Sequence, residues 1–329
     1  MFKYILKRLG ISVLILLGVS FILYALLRCM PTDFVEAKII ALNTSGAEVT
    51  EEFKQALYKA YGLDGNIVQG YFGWLGNICR GNFGNSFKSG RSVLSEIFNA
   101  DRLGTSFIVA AIATLFEFLI AIPLGITAAT HQYSLRDYLV TILVLIGISL
   151  PSFFFGQMLK DIFANKLGWL PVSGMRDPGA TYANGFEAIM DYLYHMILPV
   201  LTVVVLSIGG RMRVTRTNML EVLNSDYIRT ARAKGLGEGK VIYKHAFRNT
   251  MIPVVTGLAG LIPSLFSGAM ITESVFDLTG IGSYALKAMT EGDIPVIMTY
   301  NMFLAALSVL GVLLADLMYA VVDPRVKLA

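Results

Sequence analysis

Six apolar runs dominate this chain, and each is long enough to cross the hydrocarbon core of a bilayer, which takes about 20 helical residues. They cover Leu9–Leu27, Leu103–Thr130, Tyr138–Leu159, Tyr192–Gly210, Thr250–Thr272 and Pro295–Val322. In lipid every backbone amide and carbonyl must be paired inside the protein, so spanning segments are helices or closed barrels. None of the runs alternates apolar and polar residues as a barrel strand does, which leaves helices. Composition agrees, with 55% of residues hydrophobic and 15% charged, against about 25% charged in soluble domains. The expected fold class is an all-α polytopic membrane protein, residues 1–329 forming one transmembrane domain. Pro151, Pro199, Pro253 and Pro263 fall inside the third, fourth and fifth runs. Spans tolerate proline where neighbouring helices or water re-satisfy the freed backbone groups, so these mark packed or cavity-lining helices.

Cations set the orientation. Lys3, Lys7 and Arg8 precede the first run and hold the N-terminus inside. After six crossings the tail with Arg325 and Lys327 is inside too, so both termini are expected to be cytoplasmic. The segment 211–248, between the fourth and fifth runs, carries nine Lys/Arg against three acids and belongs on the same side. The external segments are then 28–102, 160–191 and 273–293, where, taken together, acids outnumber bases. The net charge of +4 therefore reflects topology, not an affinity for nucleic acid. The first run resembles a signal peptide, but Arg28-Cys29-Met30-Pro31 follows it instead of the small residues of a cleavage site, so it reads as an uncleaved anchor. Cys29 and Cys79 both fall at the outer face, where an external bridge and two separate thiols both fit.

Catalytic signatures are missing. The nearest approach to a phosphate-binding loop, Gly235-Leu236-Gly237-Glu238-Gly239-Lys240, has the wrong spacing, and Val241 stands where a Ser or Thr would bind magnesium. His131, His195 and His245 are scattered without carboxylate or cysteine partners at metal-ligand spacing. The chain is expected to hold no cofactor or metal of its own and to break no covalent bond. Two acids, Glu117 and Asp316, sit inside apolar runs. A charge is expensive there, so both are candidates for function. Both also suit a quieter role, facing the bundle or reaching the interface, and without basic partners they make a poor proton relay.

The basic segment has internal structure. Asp226 suits the cap of a short helix over Tyr227–Lys234, which Gly235 can end in the left-handed conformation. Arg229 and Arg232 lie three apart on one face of it. A second helix is expected from Lys240 to Asn249, with Val241, Ile242, His245, Ala246 and Asn249 on one side and Lys240, Lys244 and Arg248 forming a stripe. Such a stripe suits an anionic inner leaflet.

The run Tyr227-Ile228-Arg229-Thr230-Ala231-Arg232-Ala233-Lys234-Gly235-Leu236, closed by Arg248-Asn249 and Ile252-Pro253, resembles the "EAA" coupling loop of ABC-importer permeases in its oligopeptide/dipeptide/nickel form. The resemblance covers nearly the whole chain. It takes in Tyr61-Gly62-Leu63-Asp64, Gly81-Asn82-Phe83-Gly84-Asn85-Ser86, Ser149-Leu150-Pro151-Ser152-Phe153, Leu170-Pro171 and Arg213-Val214-Thr215-Arg216. It continues through Glu273-Ser274-Val275-Phe276 and Asp293-Ile294-Pro295 to Asp323-Pro324-Arg325. The long external segment resembles that of the first of two paired permeases. Three places depart from the family pattern: the name-giving glutamate falls at Arg229, Pro31-Thr32-Asp33-Phe34 replaces the usual turn after the first run, and Gly81-Asn82-Phe83-Gly84 stands in place of a usual Gly-Asp-Leu-Gly.

The resemblance implies a type I importer permease of six transmembrane helices in a bacterial or archaeal cytoplasmic membrane. It would pair with a second homologous permease and be fed by an external solute-binding protein. Two cytoplasmic ATPases would bind ATP and magnesium and receive Tyr227–Leu236 as the coupling element. Short peptides are the implied cargo; nickel or another small solute fits the same family. Nothing in the residues assigns cargo contacts; Phe153, Phe154, Phe155 and Trp169 suit a roomy path or plain packing. An ion-coupled carrier fits less well, since the two halves show no repeat, and a non-transporting scaffold is the third class.

Overall fold

The chain, as a computed structural model, is described over residues 2–29, 39–40, 50–60, 65–250 and 260–322. The motifs at Pro31–Phe34, Tyr61–Asp64, Ile252-Pro253 and Asp323–Arg325 lie outside these residues. Helices follow in the order α1 (Phe2–Arg28), α2 (Glu51–Ala60), α3 (Ile67–Cys79), α4 (Val93–Ile97), α5 (Ala100–Thr130), α6 (Leu135–Ser149) and α7 (Ser152–Leu159). Then come α8 (Gly185–Leu223), α9 (Asp226–Ala233), α10 (Leu261–Ser267), α11 (Met270–Val275), α12 (Ile281–Glu291) and α13 (Ile294–Val322). Two wider-turned helical stretches occupy Lys160–Lys166 and Lys240–Ala246. Among the described residues the isolated β-bridge is Asn85 to Ser92, so the all-α expectation holds.

Among the described residues four helical segments, Leu6–Leu26, Val93–Thr130, Gly185–Leu223 and Ile294–Ala315, are long and apolar enough to cross a membrane. The third expected run is not a single rod. α6 and the helix from Ser152 to Lys166 meet at 102°, and counting this pair as one span gives five among the described residues. Pro151 causes the break: its ring biases Leu150 to an extended backbone (ψ 131) and it offers no amide to continue the helix. Pro199, by contrast, stays within continuous α8. The fifth run, Thr250–Thr272, is described at Thr250 and from Gly260 onward, and it is interrupted where α10 ends at Gly268, whose φ is +68. Asp316 lies on α13, with its side chain outside the described residues.

The chain divides into two compact units. Met1–Leu103 with Tyr284–Val309 form the first. There Tyr24 and Tyr71 are buried with Ile294 and Met298, and Trp74 packs beside them. The Tyr71 hydroxyl donates to the Leu17 carbonyl at 3.1 Å and shares a 2.7 Å hydrogen bond with Ser20, which satisfies it inside an apolar cluster. Cys29 and Cys79 are exposed and unbonded. Two of the resemblance motifs meet in this unit. Ser86 donates its hydroxyl to Asp293 at 2.5 Å, and the amides of Phe87 and Lys88 donate to the same carboxylate at 3.1 and 3.3 Å. Nearby, Arg102 pairs with Glu96 and lies 3.9 Å from the Tyr284 ring centroid. Asp293→Ala would strand three donors where the carboxylate was buried. It is expected to cost about 3 kcal/mol, read as a lower Tm of the purified protein and faster proteolysis around residues 84–92.

Gly104–Ser283 and Leu310–Leu328 form the second unit. Its core joins Val109 and Ala113 of α5, Phe155 and Leu159 of α7, Met196, Leu198 and Val204 of α8, and Phe276 and Leu278. Glycines let the helices approach closely. A Cβ at Gly125 would meet Thr215 and the Met212 carbonyl, and one at Gly209 would overlap Ile148. Without a hydrophobic force between helices in lipid, such backbone proximity is what holds them together.

The same unit buries a carboxylate completely. Glu273, with no exposed surface, accepts the Ser106 hydroxyl at 2.7 Å, the Ala269 amide at 3.1 Å and the Ser283 amide at 2.8 Å. Ser106 in turn accepts the Ile281 amide at 2.9 Å. Gly268, Gly280 and Gly282 crowd the carboxylate so closely that a Cβ at any of them would collide with it.

Candidate functional site

The basic segment is more ordered than a loop. α8 runs on to Leu223, so Arg211, Arg213 and Arg216 stand on a continuous helix. α9 follows after a tight turn. Ser225, not Asp226, takes the cap position, with extended backbone (φ −76, ψ 153), and its hydroxyl donates back to the Val222 carbonyl at 2.6 Å. Asp226 becomes the first helical residue, where a negative charge favours the helix N-terminus, and lies 3.5 Å from Arg229. Gly235 ends the helix as its type suggests, at φ +75. Its amide donates to the Arg232 carbonyl at 2.9 Å and that of Leu236 to Ala231 at 3.4 Å, the paired bonds of a Schellman end.

α9 has two distinct faces. Ile228 and Ala231 point into the chain's own core, packed with Ile126, Ala129, Met219, Val241 and Ala246, and Leu236 closes over them. Tyr227, Arg229, Thr230, Arg232, Ala233 and Lys234 are exposed. The small size of Ala231 thus serves internal packing, whereas Ala233 is free at the surface. Arg232 forms a double hydrogen bond to Glu238, at 2.8 and 3.3 Å, and so closes the glycine-rich turn. That turn leads into the helix over 240–250. Its wide stretch buries Val241 and Ala246, five residues apart, leaves His245 half-buried, and puts Asn249 outside. An α-helical step of about 3.6 residues per turn puts Asn249 with the inner set, and the wider turn over Lys240–Ala246 shifts it out. Lys240, Lys244 and Arg248 are exposed, in keeping with the stripe.

Two of the nine cations are partners of buried acids. Arg211 donates from Nε to Glu117 Oε1 at 3.0 Å, so Glu117 is not the partnerless acid that its sequence surroundings indicate. Arg216 forks onto Asp137, at 3.1 Å from Nε and 2.9 Å from Nη2, while the Tyr133 amide caps the same carboxylate at 3.1 Å. In each case the partner stands on another helix.

At the other end of α8, His195 is buried beside Asp191 and Asp177. Their ligand atoms lie within 4.8 Å of one another, a set of a size to hold a metal ion. This corrects the picture of His195 without carboxylate partners, since Asp177 arrives from the preceding loop. The donors are already engaged: His195 Nδ1 lies 2.9 Å from the Asp191 carbonyl, and Asp191 accepts the Asp177 amide at 3.1 Å and the Tyr182 hydroxyl. The bond to Asp191 raises the Tyr182 pKa. As it stands the group clamps the 174–184 loop onto α8. Phe153, Phe154 and Trp169 are exposed and Phe155 is buried.

This architecture, apolar helices around buried ion pairs with a cationic helix between two of them, matches a known family. Residues 121–328 fit the family described as "Binding-protein-dependent transport system inner membrane component", and residues 1–114 fit "Binding-prot-dependent transport system membrane comp, N-term". The chain belongs to this family, the multi-pass transport permeases of ABC importers, as its residues led one to expect. Its relatives narrow the branch. It is 35% identical over 327 residues to the oligopeptide transport system permease protein AppB of Bacillus subtilis (strain 168), covering 99% of this chain and 100% of the relative. It is 33% identical over 343 residues to the dipeptide transport system permease protein DppB of Escherichia coli (strain K12), covering 99% of each. The inward-facing MetNI methionine ABC transporter shares the fold, with a TM-score of 0.53 at 15% identity over 68% of this chain and 94% of that one.

Proposed function

We propose that this chain is the first of two permease subunits in an ATP-driven importer of short peptides. It crosses the cytoplasmic membrane six times with both termini inside, the bent α6–α7 pair being the third crossing and the segment through α10 the fifth. A second permease completes the pathway, a solute-binding protein delivers cargo from outside, and two ATPases drive the cycle from the cytoplasm, with ATP and magnesium on those subunits. The peptide cargo is supported by relatives matched over their whole length and named for oligopeptides and dipeptides.

The observation that carries the coupling role is the split of α9 into a buried face and a charged one. Ile228 and Ala231 fasten it to its own subunit, while Arg229 and Lys234 are offered outward to acidic groups of an ATPase. The test is Arg229→Glu with Lys234→Glu in the assembled importer. Reversal of two interface charges is expected to lower ATP-dependent dipeptide uptake by about tenfold or more and to weaken co-purification of the ATPases, with the amount of membrane-inserted permease unchanged. Undiminished uptake would remove α9 as the docking element.

A further inference from the structure

Within the second unit a cavity of about 490 Å³ opens among α5, α8 and α10. That volume is in the range of small-molecule sites, about 300–1,000 Å³. Its walls include Glu117 and Arg211 together with Thr114, Ser207, Ser264 and Ser267, an uncommon concentration of polar groups between spanning helices. Charges in such helices face water-filled cavities or substrate paths because lipid excludes them.

The geometry of Arg211 is specific. Its Nε is held by Glu117 Oε1 at 3.0 Å, and its Cζ sits 4.4 Å from the ring centroid of Phe118. One edge and one face of the guanidinium are thus fixed. Among the described residues neither terminal nitrogen has a hydrogen-bond partner, so the Nη1–Nη2 edge is presented as a pre-oriented fork. Two parallel donors of this kind match the two oxygens of a carboxylate. The hydroxyls of Ser207 and Ser264 donate to their own helix carbonyls, to Val204 at 3.2 Å and Leu261 at 2.8 Å. Their oxygen lone pairs remain as acceptors for amide N–H groups.

We propose that this cavity is a way-station on the translocation path that receives the C-terminal carboxylate of a peptide in transit on the terminal nitrogens of Arg211. Glu117 is a positioning residue that holds the fork by its Nε. The proposal rests on the peptide-import reading and adds to it the chemical group that the permease itself recognises.

The experiment uses the complete importer in proteoliposomes with its solute-binding protein, and compares uptake of dialanine and of dialanine amide. The binding protein has its own preference between the two, but that preference cancels when the acid-to-amide ratio of a variant is divided by that of the native complex. Arg211→Gln is expected to lower the ratio about tenfold, the equivalent of one charge-assisted hydrogen bond. If Arg211→Gln fails to assemble, Glu117→Gln/Arg211→Gln is measured in its place, since removing both charges leaves no uncompensated ion in the bundle. An unchanged ratio in the variant that assembles overturns the proposal, whatever the total uptake, and makes the pair a helix fastener. A native complex that takes up neither peptide overturns the peptide-import reading instead, and the proposal with it.

Discussion

Ala231→Arg is expected to abolish uptake while leaving the chain inserted in the membrane. Ala231 is packed against Met219, Val241 and Ala246, with no room for a guanidinium or a partner for its charge. Forcing one in costs about 3 kcal/mol or more, and α9 responds by lifting off the core. The effect differs in kind from reversal of the exposed charges: here the helix is lost as a rigid element, and so is every contact that it makes. Protease sensitivity at Arg229 and Arg232 together with uptake separates the two. Ala231→Arg should unfold the backbone beside both arginines and so make it cleavable by trypsin; retained uptake with unchanged cleavage would show that α9 does not depend on its buried face. Ala233→Arg, on the exposed side, should leave the cleavage pattern unaltered.

Glu273→Gln is expected to damage the protein almost as much as Glu273→Ala. Every group around the carboxylate is a donor: the Ser106 hydroxyl toward one oxygen, the Ala269 amide beside it, and the Ser283 amide toward the other. A Gln keeps one oxygen and turns its NH2 against an amide that needs an acceptor. Both substitutions leave buried donors unpaired, at about 1–3 kcal/mol each. The measurement is thermal unfolding of the purified permease. A Gln variant as stable as the native chain would mean that the nest accepts a neutral group and that the carboxylate charge is incidental.

Much of this molecule is legible in its sequence, and the rest is hidden for identifiable reasons. The helices follow from apolar runs, and α9 follows from local chemistry, since a glycine is the residue type that ends a helix at φ +75 without strain. Pro151 and Pro199 look alike in sequence, yet the first breaks its helix and the second stays within α8, and no local signal separates them. The same holds for Glu117. Its cation is 94 residues away, as Arg216 is 79 from Asp137 and Ser86 is 207 from Asp293. Nothing local announces such pairs. The wide stretch at Lys240–Ala246 differs from an α-helix by one residue in the spacing of its hydrogen bonds, too little for an apolar pattern of this length to report.

α8 binds α9 through Met219 near one terminus and clamps the 174–184 loop through Asp191 and His195 near the other. Its 39 residues make a beam of about 58 Å at 1.5 Å per residue. A tilt of about 5° imposed at one extremity would sweep the opposite tip through about 5 Å over that length. On the coupling role proposed for α9, such a lever would turn a small stroke at that helix into a displacement as wide as a peptide backbone.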